Sequence, residues 1–309
     1  MEHTIIYCPD IECDSCIKVI NRGFAKLKGI ENTVFKKNFL EVSYDPVKVK
    51  PHEIAACIRQ LGFRAGFEPF LRKTFKERLR DFRENKEKYE VEYRMIRYSV
   101  LNLVLLALVE SLIYFLFFRE DPAFIGRYGW WIFYLDLAVV SIGAAMWHLN
   151  SYRASLTSMV GMMIGMTFGM QTGLMIGLIM GATNGMFVGS MAGMLAGVFV
   201  GWHNGKCCGI MGVMEGAMAG VMSGTMGAMI GVMLFIDRIL IFMPFFMLIN
   251  IMVMWGLSYM LFEEVVEDNP KAEKSGIRFV RFFIYCILAV LLLSLIMIYG
   301  PKSGFAKVI

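Results

Sequence analysis

The stretch GMMIGMTFGMQTGLMIGLIMGATNGMFVGSMAGMLAGVFVGWHNGKCCGIMGVMEGAMAGVMSGTMGAMIG, residues 161–231, decides the fold of the larger part of this chain. Its glycines recur at every fourth position from Gly161 to Gly209 and continue, with two steps of three, to Gly231. A helix turns about 100° per residue, so this spacing forms a slowly winding groove on one helix face. Glycine costs about 1 kcal/mol per position in an aqueous helix, but in lipid it permits close helix contact. The spacing therefore predicts three membrane helices packed backbone to backbone as glycine-zipper helices.

The composition of the whole chain is that of a membrane protein. The chain has 309 residues, of which 57% are hydrophobic and 18% are charged, below the roughly 25% charge of soluble domains. A spanning helix needs about 20 mostly apolar residues. We expect an all-α polytopic domain over residues 98–309, embedded in the lipid bilayer. Its seven predicted spans are 98–118, 129–148, 158–180, 185–202, 209–235, 239–262 and 278–299.

A charged segment precedes the first span and sets the expected orientation. Residues 69–97 carry ten basic and six acidic residues on an amphipathic pattern, which predicts a helical stalk. Lysine and arginine beside a span favour the cytoplasmic side. Residues 1–9 lack the basic start and apolar core of a signal peptide. We therefore expect a multi-pass protein of the plasma membrane with its N-terminal domain in the cytosol.

The N-terminal segment, residues 1–68, has the pattern of a small α+β domain. The stretches TIIYC, NTVFKK, LEVSYD and FRAGF predict strands, and CIKVINRGFAKL and PHEIAACIRQLG predict helices. The resulting order, βαββαβ, is that of a ferredoxin-like fold.

A pair of cysteines opens the first of these helices. Cys13 and Cys16 are separated by two residues, and a thiolate at a helix N-terminus is stabilised by the helix dipole. Two converging thiolates suit a soft ion such as Cu(I), Zn(II), Cd(II) or Hg(II). By itself the spacing also fits a redox pair or two ordinary cysteines.

The surroundings of the pair resemble those of a known domain. CxxC, then LKGI, VSYDP and IxxxIxxLGF follow one another over residues 3–66 and resemble the heavy-metal-associated domain of copper chaperones and P-type metal ATPases. The resemblance implies a ferredoxin-like fold, metal at Cys13 and Cys16, and Phe63 close to the site. Asp10-Ile11-Glu12 replaces the usual Gly-Met-Thr type of triplet, which widens the choice of metal toward Zn(II) or Cd(II). Cys8 is either a third thiolate or a strand-end residue.

Methionines accompany the glycines in regular rows. Thioethers select soft monovalent copper or silver, although methionine is also a common flexible apolar filler. One sulfur per helical turn, about 6 Å apart, would make a ladder of weak ligands. The first row flanks the glycine groove and the second lies on the opposite helix face: Met162, Met166 and Met170, then Met214, Met218, Met222 and Met226.

Two adjacent cysteines lie at the predicted cytosolic end of the fifth span. Cys207 and Cys208 are poorly placed for a mutual disulfide but, as thiolates, can accept a soft ion by ligand exchange. His203 is a further candidate ligand. The alternative is that they are two small residues at a helix start.

Three acidic residues fall inside predicted spans, where ionisable groups are costly and mark candidate functional sites. Glu110 and Asp136 have the same predicted depth and could share a proton or hold a cation, and Glu215 follows Met214. We expect them to act as coupling acids. The alternative is that each pairs with a buried amide side chain or a backbone group.

Together these features predict a transporter or channel for a soft heavy-metal ion, with Cu(I) favoured, moving between the CxxC domain and a Met/Cys-lined membrane path. The alternatives are a membrane-tethered metallochaperone or assembly factor that delivers copper to a metalloprotein client, and a metal-responsive regulator. The glycine pattern also fits a homo-oligomer. We expect no enzyme activity and no nucleic-acid partner, since the sequence contains no catalytic constellation, phosphorylation motif or phosphate-binding loop.

Overall fold

A computed structural model describes residues 2–9, 11, 14–27, 29–36, 38–61, 63, 65–69, 80, 89–119, 124–153, 158–235, 238–263, 273–274 and 278–302. The chain divides into two compact units. The first is built mainly from residues 1–88, and the second comprises residues 89–153, 158–264 and 273–309.

The first unit contains a three-stranded antiparallel sheet and two helices. Strands β1 (Glu2–Tyr7), β2 (Ile30–Lys36) and β3 (Phe39–Tyr44) are ordered β1-β3-β2. Helix α1 spans Asp14–Phe24 and α2 spans Pro51–Gln60. Proline suits the first turn of α2, and the Lys50 N–H donates to Glu53 Oε2 at 3.1 Å, which satisfies one backbone group at the helix start.

One hydrophobic core joins the sheet to both helices. Leu40 and Val42 alternate with more exposed residues along β3, as expected of a sheet with one covered face. They pack with residues of α1 and α2, chiefly Ile20, Ile54 and Ile58. The predicted last strand, FRAGF, is reduced to an isolated bridge in which Tyr7 and Gly66 exchange hydrogen bonds of 2.8 and 3.0 Å.

Seven apolar helices, each long enough to cross a bilayer, form the second unit. Their number matches the prediction, and by length and composition the chain is a multi-pass membrane protein. The helices are α3 (Glu90–Ile113), α4 (Trp130–Ser151), α5 (Ser158–Asn184), α6 (Met186–Gly205), α7 (Gly209–Met233), α8 (Ile239–Leu261) and α9 (Phe279–Tyr299). π-helical turns extend α3 at Tyr114–Phe118 and precede α4 at Ile125–Gly129. A short pairing of β4 (Tyr152–Arg153) with β5 (Glu273–Lys274) follows α4.

The first span begins earlier than the sequence predicts. Helix α3 starts at Glu90 and runs through residue 97 without a break, so the end of the predicted stalk and the first span are one helix. Within residues 69–88 only residues 69 and 80 are described, so the rest of the stalk lies outside the described part of the chain.

The turns between α5, α6 and α7 are very short. Gly185 alone connects α5 to α6, with φ of +101°, a conformation that side chains rarely adopt. The helix that contains the fourth predicted span, 185–202, continues to Gly205. The Asn204 amide donates to the Val200 carbonyl at 2.8 Å within the helix. The chain reverses direction only at Gly209, whose φ is +74°.

The glycine faces of α5, α6 and α7 are in direct contact, which confirms the predicted packing. A Cβ atom on Gly169 would lie 2.3 Å from the Gly216 carbonyl oxygen, and one on Gly201 would lie at the same distance from the same oxygen. A Cβ on Gly220 would lie 2.3 Å from the carbonyl carbon of Gly197. Real Cβ atoms do not approach this closely, so only glycine permits this spacing of the three helices.

The other three spans, α3, α8 and α9, pack around α4. Helix α4 packs against α3, α5, α8 and α9, and most of its side chains are buried within the unit. Polar side chains on this helix are therefore removed from lipid and held between protein surfaces.

Candidate functional site

The structure describes half of the predicted CxxC site. Cys16 lies in the first turn of α1, is half-buried and packs against the core of the first unit, whereas Cys13 lies outside the described residues. Phe63 is buried in that core, after the end of α2. The position of Cys16 at a helix start is the one that stabilises a thiolate.

Two other cysteines of the first unit belong to its core. Cys8 is fully buried, and its N–H donates to the Asn38 carbonyl at 2.9 Å, so the structure places it as a small apolar residue at the end of β1. Cys57 on α2 is half-buried, and burial raises the pKa of its thiol above the ordinary value. A raised pKa keeps this thiol protonated and disfavours metal ligation at neutral pH.

The turn between α6 and α7 exposes one of the two adjacent thiols. Cys207 is exposed, and its Sγ lies 3.1 Å from the Asn204 carbonyl oxygen; Cys208 follows it in the same 3-10 turn, Lys206–Cys208. The neighbouring side chains of Lys206 and His203 each contact an aromatic ring. The Lys206 Nζ lies 4.3 Å from the centre of the Trp202 ring, and His203 stacks on Phe199.

The second methionine row faces away from the glycine contact. Its four members, Met214, Met218, Met222 and Met226, are between 51% and 62% exposed and lie on one side of α7. Glu215 lies beside the first of them and is half-buried. The first row is less regular, since Met166 is exposed whereas Met162 and Met170 are half-buried.

We use the name glycine bundle for the three helices α5, α6 and α7. No continuous metal path lies inside the described part of this bundle. The backbones of α5, α6 and α7 touch along the glycine ladder, so the space between them is filled. Among the described residues, no group of three or more His, Cys, Asp or Glu side chains is close enough to hold a metal ion. Any sulfur path along α7 would therefore run on the outer surface of the bundle.

Two of the predicted acids meet between α3 and α4. The carboxyl groups of Glu110 and Asp136 lie close enough to interact through a side-chain hydrogen bond, and Asp136 is 2% exposed. Ionised carboxylates only accept hydrogen bonds, so this contact requires a proton on one of the two groups. Two carboxyl groups held this close together and away from water favour sharing one proton.

A second ionisable cluster, which the sequence analysis missed, lies at the other end of the same helix pair. The His148 Nε2 lies 3.1 Å from Glu92 Oε1, and the Tyr152 hydroxyl donates to the same oxygen at 2.6 Å. Burial and the neighbouring Glu92 carboxylate raise the pKa of Tyr152. The sequence signal that could have indicated this cluster was the position of Glu92, near the start of one apolar run, and of His148, near the end of the next.

The His148 side chain also borders a small cavity. The cavity lies between α4, α5 and α8 and is lined by His148, Phe168, Ser258 and apolar neighbours. Because Nε2 faces Glu92, the other ring nitrogen, Nδ1, is left without a hydrogen-bond partner among the described groups.

No family model, curated protein or solved structure matches this chain. The functional argument therefore rests on the chemistry and placement of the residues themselves.

Proposed function

We propose that the protein moves a soft metal ion, with Cu(I) favoured, across or along the membrane. The observation that carries this proposal is the outward row of four thioethers on α7, at one sulfur per turn, which begins two turns after the Cys207–Cys208 turn. Thiolate and thioether ligands select soft ions, so the row can pass such an ion stepwise.

The first unit would supply or accept the ion at Cys13 and Cys16. Its elements support a ferredoxin-like fold of the heavy-metal-associated type: the order βαββα, the sheet order β1-β3-β2 and a bridge from Tyr7 to Gly66 on the free edge of β1. Helix α3 begins at the same end of the helix bundle as Cys207, because successive spans reverse direction. With that end in the cytosol of a plasma-membrane protein, both thiol pairs would meet the same reducing compartment.

The metal path is best completed by a second copy of the chain. A single row offers one thioether at each level, and the interior of the bundle is closed by the glycine contact. Two α7 rows facing each other would enclose the ion between pairs of sulfur atoms. The homo-oligomer is therefore part of the proposal.

A membrane-tethered metallochaperone is the second candidate. The filled bundle and the exposed methionine face favour it, since a docked metalloprotein client could receive the ion on that face without any transport. Zn(II), Cd(II) or Hg(II) could replace Cu(I) at the thiol pairs, because thiolates bind all of them, whereas the thioether row favours Cu(I).

Flux measurements on the full-length protein in liposomes test the proposal. Vesicles containing the protein should take up Cu(I) or Ag(I) faster than protein-free vesicles, and replacement of Cys207 and Cys208 by serine should remove the difference. Absence of flux together with copurification of a copper protein would favour the metallochaperone. Unchanged flux in the serine variant would contradict the path.

A further inference from the structure

Unsatisfied polar atoms are concentrated at one helix interface of the membrane unit. Among the described residues, most buried side-chain polar atoms that lack a hydrogen-bond partner belong to α3 and α4; they are Glu92 Oε2, both amide atoms of Asn102, Glu110 Oε1, Asp136 Oδ1, Trp147 Nε1 and His148 Nδ1. Buried polar groups are normally paired or bound to water, so each of these atoms needs a partner that the described groups do not supply.

These atoms form three levels along the two antiparallel helices. The first level is the hydrogen-bonded pair Glu110–Asp136, which holds one proton and leaves one oxygen of each carboxyl group unpaired. Cys286, on α9, is the titratable group that faces the pair from a third helix. With one shared proton the pair carries a single negative charge, and the path uses no further charged group at this level.

The middle level is polar but carries no charge. Asn102 is completely buried, and the Cys286 thiol lies beside its amide. Gly143 of α4 completes the contact, because a Cβ there would lie 3.1 Å from the Cys286 sulfur. The Cys286 thiol can engage only one of the amide's hydrogen-bonding sites, so the remaining donor and acceptor sites are suited to binding water.

The third level combines an acid, a histidine and a tyrosine. His148 is 1% exposed, and its contact with Glu92 places the proton on Nε2 in the neutral ring, which makes Nδ1 an acceptor. Tyr152 neutralises part of the Glu92 charge by donating to it. From α5 and α8, the side chains that border His148 at the cavity are uncharged, chiefly Phe168 and Ser258.

The three levels together extend along most of the α3–α4 pair. Glu92 and Asn102 are ten residues apart on α3, and Asn102 and Glu110 are eight apart, which gives about 15 Å and about 12 Å at the helical rise. Eight more residues, about 12 Å, separate Glu110 from the end of the helical extension at Phe118, so a proton must also cross that distance to reach the pair. Gaps of this size require several water molecules for proton transfer.

We infer that the interface of α3 and α4, closed on one side by α9, is a hydrated proton path across the membrane. A proton enters at one end, exchanges with the proton shared by Glu110 and Asp136, passes along water at Asn102 and binds Nδ1 of His148. His148 then releases a proton at the other end, so that one proton leaves for each that enters. The reverse direction uses the same groups. The inference does not depend on metal transport, because the sulfur row lies on α7.

Proton flux in the absence of heavy metal tests this path. Vesicles that contain the full-length protein and an internal pH dye are given a potassium diffusion potential with valinomycin. Wild-type vesicles should change internal pH faster than protein-free vesicles, and Asp136→Asn and His148→Gln should abolish the difference. Thr225→Val, which removes a polar side chain from α7 that bonds only within its own helix, should conduct as wild type does. Wild-type flux equal to the protein-free rate, or full flux in Asp136→Asn, would overturn the inference.

An infrared measurement on the wild-type protein covers the case in which a variant does not fold. The shared proton predicts a carbonyl stretch from a protonated carboxylic acid at neutral pH, and access to water predicts that this band shifts soon after transfer to D2O. A missing band would show that the pair holds no proton, and a band that does not shift in D2O would show a dry structural pair; either result would overturn the inference. Loss of metal flux in the Cys207/Cys208 serine variant with normal proton flux would separate this inference from the proposed function.

Discussion

Gly169 and Gly216 are in backbone contact between α5 and α7, at a distance that leaves no room for any side chain. A Cβ on Gly169 would lie 2.3 Å from the Gly216 carbonyl oxygen and 3.2 Å from the Gly220 nitrogen. Neither obstacle is the flexible end of a side chain, so the helices themselves would have to separate. The close approach of α5 and α7 at this point therefore depends on glycine, whose side chain is a single hydrogen atom.

We expect Gly169→Ala to destabilise the membrane unit. Forcing a methyl group into a filled interface costs about 1–3 kcal/mol. Thermal unfolding of the purified protein in detergent, followed by circular dichroism, would show a lower midpoint. Gly256→Ala is the matched control, since a Cβ at Gly256 would meet nothing within 4 Å. Equal midpoints for Gly169→Ala and Gly256→Ala would contradict the close contact.

Replacing Cys13 and Cys16 by serine should remove the metal that copurifies with the first unit. Loss of a group that only supports a metal ligand costs roughly 10- to 100-fold in affinity, and loss of the ligands costs more. Metal content measured by mass spectrometry on the purified full-length protein is the readout. Cys57→Ala serves as the control, because burial already keeps that thiol protonated. Equal metal content in all three proteins would rule out the CxxC site.

The double variant Met218→Leu, Met222→Leu should lose Ag(I) flux while keeping its stability. Leucine preserves the volume and apolar character of methionine, so the stability change should stay below about 1.5 kcal/mol, whereas the soft ligand is removed. Liposome uptake and thermal unfolding measure the two effects separately. Met252→Leu changes an exposed methionine on α8 outside the row and should leave flux unchanged. Undiminished flux in the double variant would show that the row is apolar surface only.

Tyr152→Phe should change how stability depends on alkaline pH. The pKa of Tyr152 is raised in the folded state by burial and by Glu92, so its contribution is complete below the unfolded value of about 10 and is lost as pH rises toward the folded value. Within that window the wild type should lose about 1.4 kcal/mol per pH unit through this group. Denaturation midpoints between neutral and alkaline pH, compared for wild type and Tyr152→Phe, test this.

Below that window the phenylalanine variant should be less stable than the wild type, because it lacks a hydrogen bond to a charged group worth about 1.5–3 kcal/mol. As the pH rises above about 10, the wild type progressively loses this advantage, and the stabilities of the two proteins should converge. Parallel stability curves for the two proteins would show that Tyr152 ionises normally and does not bond to Glu92.

The agreement between sequence and structure is best where periodicity alone carries the information. Seven apolar runs of spanning length became seven helices, and the four-residue glycine spacing became a backbone contact, because both depend on the 3.6-residue repeat of one helix. Helix α6 extends three residues beyond the predicted span 185–202, although Asn204-Gly205 has the composition of a turn. In the structure Asn204 remains helical through its bond to Val200.

The pairing of ionisable groups was only partly visible in the sequence. Glu110 and Asp136 could be matched by depth, since each lies at a countable distance from the same end of adjacent spans. The contact of Glu92 with His148 and Tyr152 could not be inferred, because residues near helix ends have less certain depth and 56 residues separate the first two.

The sequence by itself determined that this chain contains seven membrane helices, a glycine bundle and a small α+β unit, because hydropathy and repeat spacing are properties of single segments. Only the tertiary structure decided which groups face one another. It placed the second methionine row outside the bundle and the buried ionisable groups between α3 and α4. The physical reason is that burial depends on which helices pack together, and contacts between segments far apart in the chain are not a property of either segment alone.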